Sequence, residues 1–513
     1  MKKEIVKGSF GWIAVAVLFV AMAIPIQVAG QEANKGHHHY KLIDLGTLGG
    51  PTSVVAYLVQ PLNNRGVVTS FADTPVLDPN FPNINPFFGS DRFIQHAFLW
   101  EDRELEDLGT LPNGTSSGTN WISDRGVVVG ASTNGAIDPL TGLPEIRATV
   151  WKYGSVLDLG TLGGNESEAF AVNDRDEVVG GAMNTIADPY TSNYFNFFIQ
   201  GATQVHATRW YKGKMHDLGT LGGPDSVAFY VTQSGKIIGQ SFTDSIANAT
   251  TGLPTVDPFL WDDGKMIDLG TLGGVFGTPN WFNERGQVVG TSDLLGDNTF
   301  HPFLWDEGKL LDLGTFGGDN GQGNWINETG EVVGEADFPG NQVHHAFLWR
   351  NGEKKDLGTV GNDGCSQALG INSHGQVIGT STNCHSVVQH VFLWENGGPM
   401  LDLRSLLVQD PGMTLTELNF INDRGEIAGD GILPNGDNHG ILLVPCDEDH
   451  RDIEGCNFET VEQIATAGLN SAQVAQAPSA IVSEARVSAS EMIEQLRSLR
   501  AKRIRRFGSL PQK

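Results

Sequence analysis

A seven-residue motif, Asp-Leu-Gly-Thr-Leu-Gly-Gly, recurs along most of this 513-residue chain and strongly limits its possible folds. Successive complete or altered copies start 44 to 63 residues apart. Self-similarity at this period is typical of repeat architectures, in which each repeat is one supersecondary unit. The copies begin at Asp44, Asp107, Asp158, Asp217, Asp268, Asp312, Asp356 and Asp402.

Each repeat predicts four short strands. An apolar run ends in Trp, as at Phe303–Trp305, and is followed by the Asp-Leu-Gly segment. A third run ends in Ile-Asn, and a fourth reads Val-Val-Gly, as at Val332–Gly334. Apolar and β-branched runs separated by Asn, Asp and Gly turns indicate antiparallel hairpins. Eight such repeats predict an all-β fold, an eight-bladed β-propeller.

The two ends of the repeat region predict how the propeller closes. The region begins with a second-type strand, Tyr40–Leu45, and ends with a first-type strand, Ile441–Val444. Pairing these two strands would complete one blade and remove the free edges of an open array. We therefore expect residues 31–445 to form the closed propeller.

Residues 1–30 have the pattern of a secretory signal peptide, with early lysines, an apolar run from Gly11 to Ile26 and small residues before Gln31. The alternative is an uncleaved membrane anchor, because the run nearly reaches spanning length. No other span is predicted. We expect a monomer that is secreted, either extracellular or in the periplasm and cell envelope.

The net charge of −27 argues against general nucleic-acid binding, which needs a basic footprint. Residues 459–513 differ from the rest, because they predict a basic tail that is helical or disordered. This tail could remain solvated, or it could dock on the acidic propeller, an anionic envelope or another molecule.

Four cysteines in a secreted protein favour disulfides over thiols or a metal site. Cys365 and Cys384 flank one predicted hairpin. With Asn372 opposite Val377, partner numbers sum to 749, and this register places the two cysteines directly opposite each other. By elimination and proximity we expect Cys446 to pair with Cys456, closing a loop over residues 446–458.

The segment His345-Ala-Phe-Leu-Trp349, followed by Asp356-Leu-Gly358, resembles the HAF-repeat family of extracellular bacterial proteins. The same letters occur at His96–Trp100. The resemblance covers roughly residues 40–445 and implies a secreted repeat protein. It implies no known activity and transfers no catalytic residue to this chain.

The repeated Asp and His residues admit both catalytic and structural interpretations. An Asp present in every repeat is more typical of a turn or inter-strand acceptor than of a catalytic group. A metal bound by the His residues is disfavoured, because blades spread them around a wide circle and Zn–N bonds are about 2 Å. No nucleophile elbow, phosphate loop or metalloprotease motif is present, so we predict no catalytic residue, metal or cofactor. The six His residues are His96, His206, His301, His345, His390 and His439.

Four long connections distinguish the first four repeats, namely Phe71–Gln95, Thr133–Ile146, Met183–Val205 and Phe242–Val256. They share one face of the propeller, and long loops on a rigid scaffold often carry function. Their aromatics and carboxylates suit a glycan, a peptide or a cation-bridged ligand, although they could equally pack together as an apolar cluster. The candidate ligand-binding residues are Asp78, Phe87, Phe88, Asp138, Asp188, Tyr190, Tyr194 and Phe195.

These features predict a secreted binding or scaffolding module whose partner is an extracellular glycan, protein or peptide. One alternative is a glycan-active hydrolase or lyase that uses loop carboxylates on the same face. Another is a structural repeat protein of the cell envelope.

Overall fold

The computed structural model describes residues 38–55, 59–88, 92–139, 141–190, 203–249, 251–384, 388–409, 412–450 and 456. The predicted signal peptide and the predicted tail lie outside these residues. Regular secondary structure in the described part is almost entirely β, with short 3₁₀ turns at Pro86–Phe88, Leu403–Leu406 and Glu448–His450. None of its helices has the length and apolar character needed to cross a membrane.

Thirty-two strands occur in the described ranges, and we name them β1 to β32 in chain order. Their bounds are Tyr40–Asp44, Ser53–Val54, Val68–Leu77, Phe93–Glu101, Glu104–Asp107, Ser117–Ile122, Val128–Ile137, Pro144–Lys152, Ser155–Asp158, Ser167–Val172, Val178–Ala187, Thr203–Tyr211, Lys214–Asp217, Ser226–Val231, Ile237–Phe242, Val256–Asp262, Lys265–Asp268, Gly273–Phe282, Val288–Leu294, Phe300–Asp306, Lys309–Asp312, Gly321–Ile326, Val332–Asp337, His344–Arg350, Glu353–Asp356, Cys365–Ile371, Val377–Thr382, Val388–Trp394, Leu401–Asp402, Thr414–Ile421, Ile427–Ile432 and Asn438–Pro445.

Consecutive strands pair antiparallel in groups of four, as in the order β6-β7-β8-β9. Six groups are separate sheets, and β14–β17 joins β18–β21 through one parallel bridge between Val256 and Phe276. Such four-stranded meanders are the blades of a β-propeller repeat fold. Blade 1 is β2–β5, and blades 2 to 7 follow in steps of four strands. Blade 8 contains β30, β31, β32 and β1.

The strand that ends in Ile-Asn is innermost in its blade, and the Asp-Leu-Gly strand is outermost. The inner strand β6 is buried at every residue, whereas the outer strand β5 is mostly exposed. Blade 8 takes its outer strand from the start of the chain, with Tyr40 opposite Pro445 and Asp44 opposite Ile441. The predicted pairing of the terminal strands is therefore confirmed.

The Gly of the Val-Val-Gly motif is required by a bulge in the inner strand. In blade 3 the register shifts between Ala169 and Ala171, which brings the carbonyl of Glu168 over Gly180. A Cβ at Gly180 would overlap this carbonyl oxygen. Blades 2 and 4 to 8 show the same contact at Gly130, Gly239, Gly290, Gly334, Gly379 and Gly429.

Aromatic side chains of the inner strands fill the centre of the molecule. Trp281 stacks on Trp325 with ring centroids 3.5 Å apart and on Trp121 with centroids 5.5 Å apart. Phe420 lies 5.3 Å from Trp325 in an edge arrangement. These residues come from blades 5, 6, 2 and 8, so inner strands of non-adjacent blades meet at a common axis.

Both predicted disulfides are present, but the register that led to one of them is wrong. The Cα atoms of Cys365 and Cys384 are 5.0 Å apart, and those of Cys446 and Cys456 are 5.2 Å apart. Cys365 lies opposite Thr382, two residues before Cys384. One residue of this difference arises at the turn, where Val377 pairs with Ile371 and not with Asn372, and the other arises from a bulge after Ala368. Cys384 lies beyond the end of β27, with φ at +65°, and reaches Cys365 from there.

Replacing both Cys365 and Cys384 by alanine should lower the free energy of unfolding by about 3 kcal/mol. The bond links residues 19 positions apart, and its loss increases the freedom of the unfolded chain. Urea denaturation of this variant and of the intact protein would measure the change. An unchanged urea midpoint would contradict a stabilising role for this bond.

Candidate functional site

The propeller has two faces that differ in their connections. Counted outwards from the innermost strand of each blade, the second and third strands are joined on one face, which we call the loop face. The Asp-Leu-Gly turns lie on the same face. The opposite turn face carries the tight turns between the innermost and second strands. On the loop face, β3, β7 and β11 run further than predicted and end at Leu77, Ile137 and Ala187. Each of these strands pairs again with its neighbour beyond a break in register, as Leu77 pairs with Phe93, and this additional pairing lengthens the strand.

Side chains of the repeated Asp and His residues form hydrogen bonds with each other near the loop face. His301 Nδ1 lies 2.9 Å from Asp312 Oδ1, which also accepts the backbone N–H of Gly314. The same pairing joins His96 to Asp107, His206 to Asp217, His345 to Asp356 and His439 to Asp44. His390 instead contacts Asp363. Members of both sets thus make hydrogen bonds of the structural kind that the sequence predicts. The described residues include no group of three or more His, Cys, Asp or Glu arranged to hold a metal ion.

Of the predicted residues in the first long loop, the two Phe side chains pack against other residues, and the Asp side chain accepts a hydrogen bond within a turn. Phe88 is buried against Ala131 and Ile146 of blade 2, and Phe87 meets it edge-on at 4.9 Å. Asp78 is half-buried and accepts the N–H of Asn80 at 2.7 Å. This loop therefore packs against the next blade and contributes to the apolar cluster there.

Two predicted carboxylates of the other loops are buried. Asp138 is 1% exposed and accepts a bond from Asn165 Nδ2 at 3.1 Å. Asp188 is 6% exposed and accepts the N–H of Tyr190 at 2.8 Å. The Tyr190 hydroxyl donates to the carbonyl of Ser245 in the next blade. The other two predicted residues, Tyr194 and Phe195, lie outside the described residues.

Sequence reasoning missed the exposed aliphatic side chains of this face. Ile137, Ile186, Ile246 and Leu295 expose 52%, 57%, 75% and 89% of their surface. Eight of the eleven exposed large apolar side chains in the described ranges lie in the loop-face connections, so this face is the best suited to apolar contact. One sequence pattern could have identified two of these side chains. An Ile lies one or two residues before an Asp-Pro pair in both Ile137-Asp-Pro and Ile186-Ala-Asp-Pro.

Buried acids lie beneath the loop face, between blades 2 and 3. Glu166 is 1% exposed, and neither of its carboxylate oxygens has a hydrogen-bond partner among the described residues. Burial, together with the like charges of Asp138 and Glu145, raises the pKa of Glu166 to about 9. Glu166 is therefore protonated at neutral pH. Asp225, in the next blade, has a pKa raised to about 7, mainly by burial.

Glu166→Gln should raise stability at pH 8 and change it little at pH 4. Because its folded pKa is raised above that of the unfolded chain, Glu166 must take up a proton on folding at pH 8. That cost grows between the unfolded pKa, about 4.3, and the folded pKa. Glutamine resembles the protonated acid and removes the cost. Thermal unfolding at the two pH values would measure the difference, and an equal shift at both would contradict the raised pKa.

Comparisons with known proteins give only remote similarities. No family model matches the chain, and no curated protein matches it. The β-propeller domain of the Trilobed protease from Pyrococcus furiosus is 10% identical, with a TM-score of 0.39, over 69% of this chain and 97% of that one. TolB from Acinetobacter baumannii is 12% identical, with a TM-score of 0.29, over 54% and 65%.

Porphyromonas gingivalis dipeptidyl peptidase 4 is 10% identical, with a TM-score of 0.37, over 65% of this chain and 53% of that one. The chain thus spans less than two thirds of the length of this peptidase and of TolB. Similarities this low assign neither a family nor an activity. The assignment of the repeat fold rests on the strand topology described above.

Proposed function

We propose that this protein is a secreted, closed eight-bladed propeller that binds an extracellular protein or peptide through its loop face. The observation that carries the proposal is the concentration of exposed aliphatic side chains there, including Ile137, Ile186 and Ile246. Exposed apolar groups on a rigid scaffold are typical of protein interaction sites. The two disulfides fit an oxidising location outside the cytoplasm, as the signal-peptide pattern predicts.

Hydrogen bonds between blades support closure of the ring. Asn422 Nδ2 of blade 8 donates to the carbonyl of Asn63 in blade 1 at 2.9 Å. Asn63 Nδ2 donates in turn to the carbonyl of Ser123 in blade 2 at 3.0 Å. The bond between blades 8 and 1 therefore resembles one between blades that follow each other in sequence. The proposed membership of the HAF-repeat family rests on the motifs alone.

The glycan-active alternative has less support. It needs carboxylates that reach a sugar, whereas two of the three predicted carboxylates, Asp138 and Asp188, are buried and accept bonds from within their own loops or the next repeat. A structural role in the envelope predicts no specific ligand. A ligand screen therefore separates the three functions: the binding module predicts a bound ligand, the enzyme predicts turnover of a glycan, and the structural role predicts neither.

A screen of peptide and glycan arrays with the mature protein tests the proposal. We expect selective peptide binding, and at least tenfold weaker binding by the triple variant Ile137→Ser, Ile186→Ser, Ile246→Ser. The matched control is Leu157→Ser with Leu311→Ser, which removes exposed apolar groups from outer strands and should bind normally. Turnover of an arrayed glycan would favour the enzyme, and no binding on either array would favour the structural role.

A further inference from the structure

The turn face carries a second candidate surface, located around the axis. The residue that follows the Ile-Asn position of each blade begins the turn toward the second strand. Most of these residues carry a side-chain acceptor, and five are acids. We call the set the axial ring; it consists of Asn64, Asp124, Asp174, Gln233, Glu284, Glu328, Ser373 and Asp423.

Backbone N–H groups hold the ring carboxylates in place. The N–H of Gln233 donates to both carboxylate oxygens of Glu284 at 2.9 Å. The N–H of Glu284 donates to Glu328 Oε1 at 3.1 Å, and Asp423 N donates to Asn64 Oδ1 at 3.1 Å. Each bond crosses from one blade to the next, so the acids are fixed around the axis.

The described residues place no cationic side chain within 4.0 Å of the five ring carboxylates. The neighbouring arginines Arg175 and Arg424 pair instead with Glu177 and Glu426, which lie outside the ring. Burial raises the pKa of Glu328, and the nearby carboxylates of Glu284 and Asp423 raise it further. Burial outweighs the effect of Arg175, which lowers the pKa of Glu284, and of Arg285, which lowers the pKa of Glu328, so both pKa values stay raised. Five carboxylates around one axis, none of them in an ion pair within the described residues, favour a cationic ligand.

A cavity of about 120 Å³ lies inside this ring and combines acids with indoles. Asp124, Glu284 and Glu328 line it together with Trp121 and Trp281, whose rings stack at an interplanar angle of 20°. An indole attracts a cation through its ring electrons, and guanidinium groups suit paired recognition by aromatic rings and carboxylates. The cavity is therefore suited to a guanidinium or alkylammonium group.

The chain itself leaves the propeller beside this ring. A Cβ at Gly425 would lie 3.4 Å from Pro445 Cγ, and His450 Nε2 lies 3.3 Å from Glu426 Oε1. The last described residue, Cys456, is bonded to Cys446. The chain therefore departs next to the turn of blade 8 that carries Asp423.

The sequence beyond Cys456 supplies a matching charge. The stretch from Arg497 to Arg506 contains six basic residues and no acidic residue. About 40 residues separate it from Cys456, and a chain of that length spans at most about 130–140 Å when fully extended. The segment can therefore reach the axis.

We propose that the axial cavity binds the basic segment Arg497–Arg506 of the same chain, taking one of its cationic groups between the indoles of Trp121 and Trp281 and the ring carboxylates. This contact does not depend on the loop face. It would cover the turn face and leave the opposite face available to a partner.

A labelled peptide of residues 495–508 tests this proposal in full-length protein. The receptor is a variant in which all six basic residues of the segment are replaced by glutamine, so that its own segment cannot compete. We expect this receptor to bind the peptide at least tenfold more tightly than the unaltered chain, whose cavity is already occupied. Adding Glu284→Gln and Glu328→Gln to the receptor should weaken binding at least tenfold.

The matched control adds Glu104→Gln and Glu307→Gln, two exposed acids outside the ring, and should bind like the receptor. Thermal unfolding of every variant establishes that the fold is intact. Equal peptide binding by the receptor and the unaltered chain would overturn docking of the segment. Absent binding, or binding that survives loss of both ring acids, would overturn the cavity as the site.

Discussion

Gly180→Ala should destabilise the protein by about 3 kcal/mol or more, because the new methyl group would overlap the carbonyl oxygen of Glu168. That carbonyl belongs to the bulged inner strand and cannot move without breaking its pairing with β11. Denaturation followed by circular dichroism would measure the loss. A change below about 1 kcal/mol would mean that the bulge does not constrain this position.

The adjacent residue provides a matched control. A Cβ at Gly181 would meet only the side chains of Val205 and Val227, at 3.1 and 3.3 Å. The equivalent positions of neighbouring blades already carry side chains, such as Ala131 and Gln240. Gly181→Ala should therefore change stability by no more than about 1 kcal/mol, since alanine also loses less entropy than glycine on folding.

Tyr40→Ala should cost about 3–5 kcal/mol, the usual range for removing a large buried side chain. Tyr40 is fully buried in β1, among Leu403, Leu418 and Leu443. Because β1 supplies the outer strand of blade 8, we expect one cooperative transition at lower denaturant rather than local fraying. Circular dichroism and tryptophan fluorescence should report the same midpoint.

The substitution Tyr40→Phe removes only the hydroxyl group, so it separates the contribution of the hydroxyl from that of the packed ring. The Tyr40 hydroxyl is buried and has no hydrogen-bond partner among the described residues. Its removal should leave stability unchanged or raise it by up to about 1 kcal/mol, because a buried unpaired polar group is costly. A global midpoint unaffected by Tyr40→Ala would contradict the proposed role of β1 in closing the ring.

Local patterns in the sequence predicted the features that depend on neighbouring residues. Strand and turn composition predicted four strands per repeat, and the order of strand types predicted that the strand at Tyr40 pairs with the last strand of the repeat region. The repeated Asp acts as an acceptor, as Asp312 shows, because its Gly lies two residues away. The proximity of Cys365 to Cys384 followed from the hairpin even though the bulge changed the register.

Features that depend on packing between blades could not be predicted in this way. The pairing of Ile371 with Val377 at the turn and the bulge after Ala368 each shift the register by one residue, and a simple count across the hairpin includes neither shift. Asp138 accepts a hydrogen bond from Asn165 of the next repeat, and Glu284 accepts one from the backbone N–H of Gln233 in the preceding blade. Aromatic and acidic composition alone does not distinguish a loop that binds a partner from one that packs on its neighbour, as Phe88 does.

Hydrogen–deuterium exchange of the mature protein with an array-selected peptide tests most directly whether the loop face binds a partner. We predict slower exchange in residues 74–78, 134–138, 184–188 and 244–248, with unchanged exchange in outer strands and in the turns of the axial ring. Protection confined to the outer strands or the axial ring, with the loop face unchanged, would contradict the account.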